Sequence, residues 1–452
     1  MPYYPTQLIY KNELGPFQNI AENYLAESAK DPFGEDAYII ETIANQIYFE
    51  IKGPYFIAVP VHVHDRLLES FLNSITPSLE LQHFNICIFL NSTHGQCSQT
   101  DFESARLFNS ELVQKWNSQT GFKAATVLSC YLPPPSSMGR VRKILTDAII
   151  THCLIEGIAD PIVVCNDVDQ ILTSPTYLAD IIDGFKNNTN PAFIAAPIGY
   201  GYIGATPIGL PENIHIPELY LFNRIQNSIN YCTRAALVGS EYAIWPEGAN
   251  LAFSGTAYCC AGGFDPCRAS GEDDAMGMSL HSLTKDGDLR IGVPKWGKPV
   301  FVDSAWIATD PRRVLSAIYA GRTGMEAWSW QDFNQTLGST LNTFSLAHEC
   351  CRSSGLLQKM HFESLSLIIK NETWEFVTSR IAWVFFRSVI LDRRARNYVQ
   401  LQNVASVFGI TITDGILDYE KTLFEAIIDW DQSPILNELI KIFGENLTPS
   451  LT

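Results

Sequence analysis

The sequence predicts an α/β fold built around a sheet of mainly parallel strands. Between residues 54 and 165, short apolar segments rich in β-formers alternate with helical patterns of about 10–15 residues. Alternation of this kind is typical of βαβ units. Hydrophobic residues make up 46% of the 452 residues and charged residues 17%, which supplies a large core and excludes a mostly disordered chain.

The elements follow in a regular order from residue 54. The first strand-like segment, 55–63 (YFIAVPVHV), precedes a helical pattern at 67–75, where apolar residues recur at three- and four-residue spacing. The same reasoning predicts, in chain order, a strand at 85–90, a helix at 102–108, a strand at 124–130, a helix at 140–156 and a strand at 162–165. Four strands and three helices in this order predict a parallel sheet.

The flanking segments differ in composition. The N-terminal residues carry two helical patterns, at 19–28 and 38–50, whereas 191–330 is rich in Gly, Pro and short β-like segments that indicate a mixed sheet with long loops. Helical spacing dominates after residue 330. The prediction is therefore a helical N-terminal extension at 1–52, an α/β domain at 53–333 and a helical C-terminal region at 334–452.

The net charge and the cysteine content limit which partners and which cellular compartment we expect. Lys and Arg number 31 and Asp and Glu 48, a net charge of −17, so binding to nucleic acid or to an anionic membrane surface is not expected. Apolar runs such as 381–386 are too short to cross a bilayer, and residues 1–10 lack the regions of a signal peptide. With eleven cysteines, an odd number, we expect reduced thiols and a cytoplasmic protein.

The segment 161–169 (PIVVCNDVD) is the most informative. An apolar strand runs directly into Asp167 and Asp169, and ligands of open α/β sheets bind beyond the carboxyl ends of strands. Two aspartates at this spacing place two hard oxygen ligands on one side of a turn, which suits Mg²⁺ or Mn²⁺ carrying a diphosphate. The structural alternative is a turn-initiating aspartate followed by a helix cap.

A second acidic cluster comprises Glu272, Asp273 and Asp274. It follows Gly262-Gly263, a pair that permits close backbone approach or positive φ. Carboxylates at a helix N-terminus are favoured by the helix dipole, so capping is the simpler explanation. Three acids in a row exceed what a cap needs, and one of them could act as a general base on an acceptor hydroxyl.

The order of these features resembles a family 2-type glycosyltransferase with the GT-A fold, and the resemblance covers residues 54–325. The matching features are the first strand with Pro60 and its helix, a second strand ending in Asn91, basic residues opening a helix at 139–143 (GRVRK), Asp167-Val-Asp169, and 262–265 (GGFD) ahead of 271–274 (GEDD). The resemblance implies a GT-A core with a mixed sheet. It also implies metal-dependent transfer of a sugar from a UDP- or GDP-sugar to an acceptor hydroxyl on a glycan, small molecule or protein.

The resemblance also implies a donor-binding role for particular positions. Arg142, in the basic segment that opens the third helix, would bind near the donor base or diphosphate, with Arg140 as the alternative. Many relatives carry an aspartate in place of Asn91, which leaves the base open. The remaining positions expected to border the donor are Pro60, Val61, His62, Asn91, Asn166 and Asp167.

Metal and catalytic roles are implied in the same way. Asp167 and Asp169 would hold Mn²⁺ or Mg²⁺, and His281 could complete the metal shell. Asp273 would be the catalytic base of an inverting displacement. Glu272 and Asp274, its neighbours, are the alternatives for the base.

Two other functions are compatible with parts of the sequence. A sugar-phosphate nucleotidyltransferase also uses a Rossmann-like sheet and metal-binding acids, but it usually opens with a glycine-rich basic signature, which 60–64 (PVHVH) lacks. A non-catalytic nucleotide-sugar-binding or scaffold protein would keep the fold alone. The complete set of acids at 167, 169 and 272–274 favours an enzyme over this alternative.

Overall fold

The computed structural model describes most of the first 310 residues and scattered parts of the rest. The described ranges are 16–29, 35–49, 53–121, 124–200, 232–237, 244, 247–268, 271–285, 295–310, and, between 386 and 435, 386, 390, 395, 397–413, 415–419, 421–422, 427–428 and 434–435. The chain divides into two units, one of 1–198 and 244–309 and the other of 199–243 and 310–452. The domain boundaries expected from the sequence stay a prediction.

The first unit contains eight α-helices and ten strands within the described residues. Its helices are α1 (Pro16–Ser28), α2 (Asp36–Ala44), α3 (Leu68–Ile75), α4 (Gln99–Thr120), α5 (Met138–Glu156), α6 (Tyr177–Asn187), α7 (Gly255–Ala261) and α8 (Glu272–Lys285). Its strands are β1 (Tyr55–His62), β2 (Phe84–Thr93), β3 (Ala125–Leu132), β4 (Ile162–Asn166), β5 (Gln170–Thr173), β6 (Ile194–Ala195), β7 (Ile198–Tyr200), which runs past the unit's boundary, β8 (Asn250–Ser254), β9 (Val300–Phe301) and β10 (Ile307–Thr309).

Seven of these strands form a mostly parallel sheet in the order β3-β2-β1-β4-β8-β6-β9. β1 pairs in parallel with β2 and with β4, and β2 pairs in parallel with β3. β8 runs antiparallel to β4 and to β6. The α/β class with a mixed sheet is therefore confirmed. In the register of β1 and β2, His62 lies opposite Asn91, so both strands end at the same edge.

The sheet is covered on both faces, which explains the continuous apolar strands. All ten residues of β2 are buried. In β1, Phe56 and Ala58 pack in one hydrophobic cluster with residues of α5, whereas Ile57 and Val59 pack in the other with residues of α3. Successive side chains of a strand point to opposite faces, so a strand buried on both faces has no polar alternation.

Local signals set the ends of α5. The Ser137 hydroxyl caps the helix by accepting a hydrogen bond from the Arg140 N–H at 3.0 Å, and Gly157, with a φ of 67°, ends it. Gly139 in the first turn donates its N–H to the Arg268 carbonyl at 2.9 Å. A Cβ on Gly139 would lie 2.1 Å from the Asp265 carbonyl oxygen, so only glycine allows this close approach.

A buried polar cluster fastens α1 to α5 and α7. Lys143 Nζ donates to Asp147 Oδ2 at 2.8 Å and to Tyr24 Oη at 2.7 Å. The Tyr24 and Tyr258 hydroxyls donate to Asp147 Oδ1 at 2.9 and 2.8 Å. The charge of Asp147 is thus matched by one cation and two hydroxyls, which is the condition for keeping a carboxylate in the interior.

The structure differs from the sequence expectation in the length of some elements. The helix expected at 102–108 extends over all of α4, because Phe102, Ala105, Asn109, Val113 and Trp116 continue a buried stripe at helical spacing. Leu107 and Phe108 lie outside this stripe and are each 54% exposed. The helix expected at 38–50 ends at residue 44. β5 and β10, which pair antiparallel in a small second sheet with β7, are three or four residues long and carry no clear pattern.

In the second unit, α9 (Tyr398–Val407) begins at Asn397, whose side-chain oxygen accepts the Gln400 N–H at 2.9 Å. β11 (Ile410–Thr411) and β12 (Ile427–Ile428) pair antiparallel. Most of the helical C-terminal region expected at 334–452 lies outside the described residues. Within the part of the chain that the structure describes, no helix has the length and apolarity needed to span a membrane.

Candidate active site

The candidate site lies at the carboxyl edge of β1, β2 and β4. Arg142 in the second turn of α5 is 4% exposed, and its guanidinium reaches two carboxylates. Its Nη2 donates to Asp167 Oδ1 at 2.5 Å, and its Nε donates to Glu272 Oε1 at 3.0 Å. Asp167 directly follows β4, and Glu272 is the first residue of α8. Three separate elements are therefore joined by one buried cation.

Gly248, just before β8, packs against Arg142 and binds Asp273. A Cβ at this position would lie 2.7 Å from Arg142 Nη2 and 3.0 Å from Arg142 Cζ. The Gly248 N–H donates to Asp273 Oδ2 at 3.0 Å, and the other oxygen of Asp273 accepts the N–H of Asp274 at 2.9 Å. The Asp273 carboxylate is thus oriented by two backbone groups.

Burial and neighbouring charges shift the pKa values of Arg142 and Glu272. Burial of Arg142 alone would lower its pKa, but Asp167 and Glu272 raise it above its ordinary value, so the guanidinium stays charged. Burial and the neighbouring Asp273 raise the pKa of Glu272 to about 7, with Arg142 opposing the shift. Glu272 is therefore poised to exchange a proton near neutral pH.

A network of polar side chains supports the end of β4. Asn166 Nδ2 donates to the Tyr177 hydroxyl at 2.8 Å and to the Ala249 carbonyl at 2.9 Å. Tyr177 in turn donates to Asn250 Oδ1 at 3.1 Å. Asn166 is fully buried, and its Oδ1 has no hydrogen-bond partner among the residues that the structure describes. These contacts fix the backbone from which Asp167 projects.

The residues expected to line the donor pocket lie together at the ends of β1 and β2. Val61 is fully buried, and Asn91 donates its amide to the Val61 carbonyl at 3.0 Å and to the Phe89 carbonyl at 3.2 Å. His62, the last residue of β1, contacts Gln96 at 3.4 Å, and burial lowers its pKa. Pro60 is buried within β1. Contact of these residues with a donor stays a prediction.

Arg140 faces a different part of the molecule from Arg142. Its Nε and Nη2 bind Asp36 of α2, with Nη2 at 2.6 Å from Oδ1, and its Nη1 donates to the carbonyls of Pro133 and Pro135 at 2.6 and 2.5 Å. The Arg140 side chain is 2% exposed. These contacts are those of a residue that fixes α2 against α5, so of the two arginines Arg142 is the better candidate for the donor.

The three expected metal ligands differ in accessibility. The Asp167 side chain is 29% exposed, and its second oxygen makes no hydrogen bond in the described part of the chain. Asp169 is 7% exposed, and His281 is 8% exposed with its Nε2 at 2.5 Å from the Ile244 carbonyl. Within the described residues, no three His, Cys, Asp or Glu side chains form a group that would hold a metal by itself.

This donor set fits a divalent cation that shares its shell with a substrate. Mg²⁺ and similar hard cations are commonly bound through one or two carboxylates together with substrate phosphates, rather than in a cage made only of protein. One accessible carboxylate oxygen on Asp167 meets that requirement. Asp169 and His281 stay predictions as ligands.

Sequence reasoning did not identify several residues that shape the site. Gly248, Tyr177 and Asn250 act through partners 25 to 106 positions away in the chain, except for the Tyr177–Asn166 contact. A single glycine or tyrosine carries no local signal for such a contact. The basic segment 139–143 was the one signal that pointed to Arg142.

No protein-family model matches the chain, and no curated protein matches it in sequence. Among solved structures, a mannosyltransferase from Pyrobaculum calidifontis in complex with GDP-Man and Mn²⁺ is 12% identical, with 95% of this chain and 99% of that chain covered and a TM-score of 0.34. S. aureus TarS 1–349 is 13% identical, with 83% and 96% covered and a TM-score of 0.33. Glucosyl-3-phosphoglycerate synthase from Mycobacterium tuberculosis, in complex with Mn²⁺, UDP and phosphoglyceric acid, is 14% identical, with 60% and 73% covered and a TM-score of 0.33.

Proposed function

We propose that this chain is a metal-dependent glycosyltransferase. It moves a sugar from a UDP- or GDP-sugar to an acceptor hydroxyl by inverting displacement. The observation that carries the proposal is the convergence of Asp167, Arg142, Glu272 and Asp273 at the carboxyl edge of a parallel sheet, where ligands of open α/β folds bind. The acceptor is a hydroxyl compound, and nucleic acid is not expected among the partners because the net charge is −17.

Donor binding follows from the charges at this edge. Asp167 is the residue that would hold Mn²⁺ or Mg²⁺, and the cation would neutralise charge on the leaving nucleoside diphosphate. Arg142 supplies a fixed positive charge next to Asp167, and the fork of a guanidinium recognises phosphate oxygens. His62 and Asn91, at the ends of the neighbouring strands, border the base.

Asp273 is the proposed base. Its carboxylate accepts the proton of the acceptor hydroxyl while the oxygen attacks the anomeric carbon and the bond to the diphosphate breaks. The N–H groups of Gly248 and Asp274 hold the carboxylate in one orientation, which reduces the entropy lost when the reacting groups align. Glu272 and Asp274 are both buried, at 6% and 4% exposure, which makes them weaker candidates for contact with an acceptor.

A thermal-shift measurement with UDP, GDP and their sugar conjugates, with and without Mn²⁺, tests this function. A ligand present at a hundredfold excess over its dissociation constant stabilises the native state by about 2.7 kcal/mol. We expect one nucleotide series to raise the unfolding midpoint in a Mn²⁺-dependent way, and Asp167→Asn to abolish the Mn²⁺-dependent part. Asp183→Asn, an exposed aspartate of α6, is the matched control and should leave the shift unchanged. Absence of a shift with every nucleotide would contradict the proposal.

A further inference from the structure

The Arg142 guanidinium contacts one oxygen of the carboxylate that would hold a divalent cation. Its Nη2 lies 2.5 Å from Asp167 Oδ1, the carboxylate that is 29% exposed and best placed to bind a metal. The guanidinium is itself 4% exposed, is held by Glu272 on its other side, and is packed against the backbone of Gly248. The Asp167 charge is therefore already matched by a cation that belongs to the protein.

We propose that Arg142 competes with the divalent cation for Asp167, so that metal and nucleotide bind together and the metal alone binds weakly. This inference rests on the proposed function, because it concerns the same metal and donor. A cation that binds both oxygens of Asp167 must displace a short charge-assisted hydrogen bond at Oδ1, which is among the stronger polar contacts in proteins. A cation at Oδ2 alone shares the negative charge of Asp167 with the guanidinium. It must also approach a fixed positive charge.

A nucleoside diphosphate removes both obstacles. Its phosphate oxygens give the guanidinium an alternative partner, and Arg142 can keep its Nε contact to Glu272 while its terminal nitrogens turn from Asp167 to the phosphate. The negative charge of the diphosphate also offsets the repulsion between the two cations. Binding of one ligand then strengthens binding of the other by the same factor, as thermodynamic linkage requires.

Direct measurement of bound Mn²⁺ tests the inference without reference to turnover. Free Mn²⁺ is followed by electron paramagnetic resonance while it is titrated into the wild type, Arg142→Met and Arg106→Met, each with and without GDP or UDP. Arg106 lies on the surface of α4 with 40% of its side chain exposed, so its replacement changes the net charge equally at a distance from the site.

We expect Arg142→Met to bind Mn²⁺ alone at least about tenfold more tightly than the wild type, since one adjacent charge shifts a carboxylate's affinity for a proton by about 1–3 units. The nucleotide should strengthen Mn²⁺ binding about tenfold or more in the wild type and much less in Arg142→Met. Arg106→Met should match the wild type. Dissociation constants for Mn²⁺ alone that agree within about twofold between the wild type and Arg142→Met would overturn the inference.

Two further variants keep the test decisive. If Arg142→Met does not fold, Gly248→Ala moves the guanidinium without removing its charge and should also tighten binding of Mn²⁺ alone, because its Cβ would lie 2.7 Å from Arg142 Nη2. Asp167→Asn should remove the bound Mn²⁺ in every background. No Mn²⁺ binding by the wild type with any nucleotide would overturn the proposed function, whereas tight binding without nucleotide would overturn only the competition.

Discussion

Replacement of Gly263 by alanine would measure how tightly the loop after α7 packs against α1. Gly262 and Gly263 both have positive φ, 87° and 72°. A Cβ on Gly263 would lie 2.0 Å from the Tyr24 hydroxyl oxygen, whereas a Cβ on Gly262 has no atom within 4 Å in the part of the chain that the structure describes. Both alanine variants therefore carry the cost of the left-handed conformation, about 1 kcal/mol, but only Gly263→Ala must displace Tyr24.

The cost of that displacement follows from the contacts of Tyr24. Its hydroxyl donates to Asp147 at 2.9 Å and accepts from Lys143 at 2.7 Å, and all three side chains are buried. A hydrogen bond to a charged group contributes about 1.5–3 kcal/mol. Loss of both contacts should lower the free energy of unfolding by about 3–6 kcal/mol more in Gly263→Ala than in Gly262→Ala.

Urea denaturation followed by circular dichroism would compare the two variants with the wild type. A Tyr24→Phe background provides the second arm, because it removes the hydroxyl that the new Cβ would meet. In that background the additional cost of Gly263→Ala should fall by more than half, which is the signature of two sites in direct contact in a double-mutant cycle. Equal destabilisation by Gly262→Ala and Gly263→Ala, or strict additivity with Tyr24→Phe, would refute the reasoning.

Two further predictions concern the candidate site. The raised pKa of Glu272, about 7 against 4.5, means that the folded chain keeps a proton that the unfolded chain loses. The stability that this group contributes is present below pH 4.5 and is lost as the pH rises through 7, by at most about 3 kcal/mol at about 1.4 kcal/mol per pH unit. Urea midpoints measured from pH 4.5 to 8 should therefore decline in the wild type, decline less in Glu272→Gln and decline as in the wild type in Glu103→Gln. Parallel profiles for the wild type and both variants would contradict the prediction. Gly248→Ala should lower the free energy of unfolding by about 2 kcal/mol, because its Cβ displaces the Arg142 guanidinium from a charge-assisted contact. Gly415→Ala, whose Cβ would meet no atom of the described residues within 4 Å, is the control, and equal urea midpoints for the two variants would show that the guanidinium is not held there.

Local patterns were sufficient for the main elements of the first unit. The apolar segments that became β1, β2, β3 and β4 are recognisable because a strand buried on both faces needs uninterrupted apolar residues. The helix α5 was predicted from the helical spacing of its apolar residues. The expectation that Gly262-Gly263 allows positive φ was correct. The strands β5, β9 and β10 were not defined by any pattern, since segments of two to four residues are fixed by their neighbours.

The candidate site also contains features that local patterns predict and features that depend on packing. The sequence by itself determined that Asp167 follows a buried strand and that Glu272 opens a helix, because both depend on residues adjacent in the chain. Only the tertiary structure decided that Arg142 joins them, across 25 and 130 positions, while Arg140 two residues earlier turns to Asp36. Residues two apart on a helix point in different directions, and which neighbour each meets depends on how α2, β4 and α8 pack around α5. Long-range pairing of charges is a property of that packing, and no local pattern encodes it.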